Sequence, residues 1–273
     1  MKRNPIARII IFSLLLLILV PTLIFGIAAG QYAVRVDYDS YAMGSGELPA
    51  SQLREIEIEW ASGSITVETA DTDTITFHEV GDSNSEPMVY RVEGSKLTIS
   101  HAEPKVYFGF NFSSDKDLYI TLPRDWNCEE LSINAASAEL TVNDLTAGEI
   151  DFDSASGNGE FNRCNVSELN VDCASGTLFF TGSLSTLDCD TASGDVTAIL
   201  QNVPRSISFD GASADLDLTL PENAGFSLLL DSISGKFTSE FPTIHENGRY
   251  ICGDGECKIE VDGASGNVTI RKG

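Results

Sequence analysis

The stretch VDCASGTLFF, residues 171–180, sets an aspartate, a cysteine and a serine beside a glycine that lets the backbone turn, which is the make-up of a reactive site. The rest of the chain turns it into architecture by repeating it. The phrase returns as FDSASGNGEF from Phe152, CDTASGDVTA from Cys189, FDGASADLDL from Phe209, LDSISGKFTS from Leu230 and VDGASGNVTI from Val261, with looser copies IEWASGSITV from Ile58 and INAASAELTV from Ile133. The repeated serines are Ser62, Ser137, Ser156, Ser175, Ser193, Ser213, Ser234 and Ser265, at intervals of 75, 19, 19, 18, 20, 21 and 31. A period near 19 marks a repeat architecture in which each unit buries its apolar face only by stacking on the next. A catalytic serine has no reason to recur in this way.

Counting from each serine defines one repeat. Six and four residues before it stand apolar pairs such as Ile56 and Ile58, Ile150 and Phe152, Leu187 and Cys189, and Ile259 and Val261. Three and five residues after it the alternation resumes, with Ile65 and Val67, Leu178 and Phe180, and Leu216 and Leu218. Period two on both sides predicts two strands, each with one buried face. Ala-Ser-Gly or Ala-Ser-Ala between them is a corner. One further apolar residue per repeat (Leu145, Val166, Leu184, Val203) points inward from a third, shorter side. The expected fold is all-β, a parallel β-solenoid with coils of about 19 residues spanning residues 51–273, whose copies stack at about 4.8 Å.

Ahead of it, Ile9 to Ala29 is an almost unbroken apolar run preceded by Lys2, Arg3 and Arg8. Its length suits a bilayer and its flanking charge puts the N-terminus inside, so the expected order is a cytoplasmic tail (1–8), a transmembrane anchor (9–29), a linker (30–50) and an extracellular solenoid. A cleaved signal peptide ending near Ala28-Ala29-Gly30 is the rival, although the run exceeds the usual apolar length of such signals. All 41 acidic residues but only 14 of the 17 basic ones lie beyond the run, leaving 27 net negative charges on the exported part. That surface repels nucleic acid and anionic polymers and leaves cations or a cationic partner as candidates.

The residues that could carry chemistry have structural readings. Cys173 and Cys189 fall in the inward register as small buried thiols. Cys252 and Cys257, in CGDGEC, are either a cross-strand bridge or a free pair. A four-cysteine zinc site fits neither spacing nor position. His78, His101 and His245 are scattered, and no glycine-rich loop leads into a helix, so no catalytic residue, metal site or cofactor is expected. The run VYFGFNFSS from Val106 reads as a strand covering the solenoid's end, with a sticky tip for a partner as the alternative. Trp60 stands where other repeats hold small residues and is expected to be buried in the N-terminal cap. Three residues before the serines, Asp153, Asp172, Asp190, Asp210, Asp231 and Asp262 point outward in a row. Like charges so close must be offset, and the expectation is that each carboxylate accepts backbone N–H groups of its corner, with a row of bound cations as the alternative.

The "L.v..aSG.i.v" repeat, LYITLP at Leu118, LDLTLP at Leu216 and the closing GDGECKIEVDGASGNVTI together resemble the bacterial "putative adhesin" β-strand-repeat family of unknown function, over about residues 50 to 271. The resemblance implies a parallel β-solenoid at the cell envelope, linked with adhesion or envelope-stress sensing, and transfers no catalytic residues. The expected function is an anchored, externally displayed binding, adhesion or scaffold module with an envelope or surface component as partner. The alternatives are a carbohydrate-active β-helix enzyme and an envelope-stress sensor acting through a membrane partner. The two departures from the regular pattern, the 75-residue gap before Ser137 and the insertion around His245, are where individuality is expected.

Overall fold

The computed structural model describes residues 41–81, 86–101 and 115–273. The expected anchor at 9–29 and the run from Val106 lie outside the described residues. Among those described, no helix is long and apolar enough to cross a membrane.

The first strands are β1 (Ala42–Met43), β2 (Gly46–Pro49), β3 (Glu55–Ala70), β4 (Thr74–Gly81), β5 (Val89–Glu93), β6 (Lys96–Ser100) and β7 (Lys116–Pro123). Thus part of the 30–50 segment expected as linker is strand. The middle holds β8 (Cys128–Asn143), β9 (Thr146–Ser154), β10 (Gly159–Ser175), β11 (Leu178–Ser193), β12 (Val196–Leu200), β13 (Ser206–Ser213) and β14 (Leu216–Leu220). The last are β15 (Phe226–Ser232), β16 (Phe237–Ser239), β17 (Ile244–Glu246), β18 (Arg249–Cys252), β19 (Cys257–Ser265) and β20 (Val268–Lys272).

The fold is all-β and solenoid-like, with repeats stacked in parallel and in register. Ser175 lies beside Ser193, Ser213 beside Ser265, and Ser62 beside Ser137. The inward positions counted from the serines form one core: Ile56, Ile58, Ile150, Phe152, Leu187, Cys189, Ile259 and Val261 are buried, as are Leu145, Val166 and Leu184 on the third side. The corners need glycine because successive turns nearly touch. A Cβ on Gly194 would come within 1.8 Å of the Gly176 carbonyl oxygen, closer than any side chain tolerates.

The coil order departs from the chain order at both ends. The coil 55–70 is second in the stack, because β6 and β7, which follow it in sequence, form the end coil against its outer edge, while β8 takes the inner edge. At the other end, β19 and β20 insert between the coil of β13 and β14 and that of β15 and β16. The two departures from the repeat pattern are therefore the detours that reach the end coils. Antiparallel strands then cover exposed edges: β4 on β7, β5 on β6, and β18 on β15. An uncovered edge strand would be a template for aggregation.

Trp60 stands at the corner between the stretch of β3 that pairs with β6, ending at Ser100, and the stretch that pairs with β7, beginning at Lys116. It is 2% exposed, its Nε1 donates to the Lys116 carbonyl at 2.9 Å, and its ring meets His101 edge-on at 4.7 Å. Beside it the Lys116 ammonium, itself buried, pairs with Glu79 at 2.9 Å and donates to the His101 carbonyl at 2.7 Å. Burial of Trp60 under the cap agrees with the sequence reading.

Candidate functional site

The β3, β8, β9, β10, β11, β13, β19, β15 side of the solenoid presents a flat outer face. Its residues are those with outward parity, at three, five and seven before each serine. The first column runs Glu59, Asn134, Asp153, Asp172, Asp190, Asp210, Asp262, Asp231 across adjacent strands. The insertion of β19 thus places Asp262 between Asp210 and Asp231. A second column runs Glu57, Ser132, Asp151, Asn170, Asp188, Ser208, Glu260, and a third Glu55, Glu130, Glu149, Glu168. Sequence reasoning found only the aspartate column. The others share its parity, which was the signal available.

The expected role of the aspartates is corrected by the structure. Corner amides donate to carbonyls of the neighbouring coil instead: Ser156 N to Ala136 O at 3.1 Å, Gly176 N to Ser193 O at 3.3 Å, Ser234 N to Ala264 O at 3.2 Å. The N–H-accepting role falls to residues two positions after the serine and, in the end coil, to Asp117, which stands in the same register beside Ser64. Asp117 accepts from Ser64 N (3.1 Å), Asn158 from Thr177 N (2.8 Å), Asp195 from Asp215 N (3.0 Å) and Asp215 from Asn267 N (2.6 Å). There each acidic or amide side chain bonds a backbone group of the adjacent coil.

Three carboxyls of the first column, Asp153, Asp172 and Asp190, are held above the usual carboxylate range. Partial burial and the charges of Asp172 and Asp151 push Asp153 up; partial burial and the charges of Asp188 and Asp151 do the same to Asp172. Asp190 is pushed up to about 7 by desolvation, by Asp210, Asp172 and Asp188, and by a hydrogen bond with the Asp210 carboxyl. Two carboxyls share a hydrogen bond only if one keeps its proton. The Asp190 Oδ1 is buried without a partner. Nearby, Asn170 Nδ2 donates to Glu149 Oε1 at 2.9 Å and Asp151 Oδ1 at 2.8 Å, relieving part of the second and third columns. Among the described residues, Lys96 meets this face at Glu57 (3.1 Å) and Arg249 at Glu260 (2.7 Å), and the third column continues through Thr186 and Ser206 to Lys258. Among the described residues no three His, Cys, Asp or Glu side chains converge as metal ligands.

The other candidates resolve separately. Cys252 and Cys257 are both free thiols. Phe226 of β15 pairs with Cys252 on one side and Cys257 on the other, so the two lie two strand spacings apart, about 9.6 Å, beyond the reach of a disulfide. The CGDGEC turn crosses over Gly225, where a Cβ would meet Asp254 Oδ1 at 1.9 Å. Cys189 is buried and Cys173 half-buried, and desolvation pushes the Cys173 thiol up to about 12 and raises Cys189 as well, so neither is poised as a nucleophile. The corner serines are exposed except for Ser62 and Ser265, which are half-buried; Ser137 and Ser234 donate to the carbonyls of Ala61 and Ala264. The histidines stay apart: His78 stacks on Tyr119, His101 packs on Trp60, and His245 leans on Tyr250.

The model of the Toastrack DUF4097 family matches residues 53–186 and 179–271, in line with the resemblance read from the repeats. Solved structures similar to the chain include a protein described as a putative cell adhesion protein from Clostridium sporogenes (15% identity, 85% of this chain and 100% of that one, TM-score 0.37). A putative adhesin from Bacteroides fragilis aligns at 11% identity over 84% and 97% of the two chains, TM-score 0.46. A putative lipid binding protein from Parabacteroides distasonis aligns at 14% over 86% and 97%, TM-score 0.41. No curated protein matches the chain.

Proposed function

The chain belongs to the Toastrack DUF4097 family, and on that premise we propose that it is a non-enzymatic binding module, held at the cell envelope by residues 9–29 and displayed outside, whose acidic outer face takes a cationic partner. The observation that carries this reading is the alignment of carboxylates in three in-register columns, with Asp172, Asp190 and Asp210 on adjacent strands. Such an arrangement costs folding free energy, and a cost left in place on a regular scaffold points to use. A face of this size and sign attracts a polycation over the Debye length and holds it by many weak ion pairs.

The test uses the full chain and poly-lysine as probe, read by light scattering or surface binding across a salt series. Replacing Glu149, Asp151, Glu168 and Asp188 by their amides should weaken poly-lysine binding and flatten its salt dependence. The same number of neutralisations on the other sheet, at Glu139, Glu160, Asp195 and Asp217, should change it far less. Equal losses for the two sets would reduce the interaction to net charge and sink the assignment of the face.

A further inference from the structure

The chain holds two Asn-Gly pairs, Asn158-Gly159 and Asn247-Gly248. An asparagine followed by glycine is chemically the weakest point of a polypeptide, because the glycine nitrogen reaches the asparagine side chain with no Cβ in the way. The structure treats the two pairs in opposite ways.

Asn158 is locked. Its Oδ1 accepts from the backbone N and the hydroxyl of Thr177, both at 2.8 Å, and its Nδ2 donates to Glu139 at 3.3 Å. The nitrogen that would attack, that of buried Gly159, donates to the Thr177 carbonyl at 2.9 Å. Asn247 is open. It and Gly248 are the two exposed central residues of the turn between β17 and β18, with φ of 51° and 79°, the two-residue turn that Asn-Gly favours. The ladder closes on Glu246 and Arg249, leaving the Gly248 nitrogen outside it. A Cβ on Gly248 would meet nothing within 4 Å.

We infer that Asn247 is a site of spontaneous deamidation, and that Asn158, with the same dipeptide, is not. The Gly248 nitrogen loses its proton and attacks Asn247 Cγ; the bond from Cγ to the side-chain nitrogen breaks, and that nitrogen leaves as ammonia. Water then opens the five-membered imide. Attack at Cγ returns aspartate in the normal chain, and attack at the backbone carbonyl gives isoaspartate, so one water is consumed and one ammonia released. Isoaspartate lengthens the backbone by one carbon inside a two-residue turn, so the Glu246–Arg249 pair cannot close. Strand β17, which among the described residues pairs with β18 alone, then detaches from the cover of the end coil.

The experiment incubates the full chain in mildly alkaline buffer, folded and in denaturant, and follows both sites by peptide mapping with isoaspartate-specific methylation. In denaturant the two sites should convert at similar rates. In the folded protein Asn247 should keep a rate within a few-fold of that reference, while Asn158 slows by more than about tenfold, a factor set by the free energy of opening its coil. Asn247→Gln should abolish the isoaspartate signal of the peptide that carries residue 247. Slowing at Asn247 equal to that at Asn158, or conversion of folded Asn158 as fast as Asn247, overturns the inference.

Discussion

The two outer faces of the solenoid share one backbone geometry and use it in opposite ways. On the face after the corner, stacked neighbours bond: Thr177 N and Oγ1 donate to Asn158, Asp215 N donates to Asp195, and Asp215 accepts from Asn267. On the face before it, amides and hydroxyls relieve some carboxylates, as Asn170 does for Asp151, but the stacked aspartates repel, and Asp190 with Asp210 is reduced to sharing a proton. Strand spacing of about 4.8 Å suits a donor beside an acceptor and penalises a charge beside its like. The first face stabilises the stack; the second is carried by it.

The largest expected effect sets the baseline, because both faces rest on one core. Trp60→Ala should cost about 3–5 kcal/mol and should do so equally at acid and neutral pH, since no titrating group is removed. A denaturation series at the two pH values checks this, and a strongly pH-dependent loss would mean that cap and acidic face are coupled.

The second effect separates the faces. With Asp190 held above its usual 3.8 in the fold, folding takes up a proton as pH rises past the unfolded value. The associated stability is complete below about 3.9 and is lost as pH climbs through about 7. The full shift would be worth about 4 kcal/mol; half-exposure to water screens this to roughly 1–2 kcal/mol. Asp190→Asn should therefore raise the stability at pH near 8 by about that much and flatten the pH dependence. Thermal melts at several pH values decide it, and a melting temperature that falls in the Asn variant would restore the view that this carboxylate is needed in its charged form.

A smaller effect belongs to the bonded face. Asp215→Ala strips the acceptor from the Asn267 amide and should cost about 1 kcal/mol, whereas Asp215→Asn should recover most of it. If the alanine variant is neutral, the ladder on this face does not hold the coils together. Smallest of all, Ser175→Ala should stay within about 0.5 kcal/mol, because an exposed corner serine away from packed features adds little.

Period two and the spacing near 19 made the coil, its corner and its inward residues legible, because each follows from positions close in sequence. The order of coils was not. Asp210 lies as well against Asp231 as against Asp262 as far as any repeat can tell, since every coil offers its neighbours the same ladder. Only the detours that carry the cap strands decide it. The same limit hid the state of the aspartates: a carboxylate before a corner reads as a turn acceptor, until the amides of Ser156 and Gly176 are seen to be taken by the adjacent coil. Trp60 was legible for the opposite reason, as a large residue where seven copies hold small ones.

The insertion of β19 and β20 between two other coils has a mechanical consequence. Tension applied at Lys272 meets hydrogen bonds to β14 on one side and, through Val268–Ile270, to β16 on the other. When the pull runs along β20 those bonds lie across it and are sheared together, whereas an edge strand such as β17 peeled away from β18 unzips one pair at a time. Pulled along its own strand direction, β20 therefore resists as a strand held on both edges, where one held on a single edge and pulled away from its partner does not.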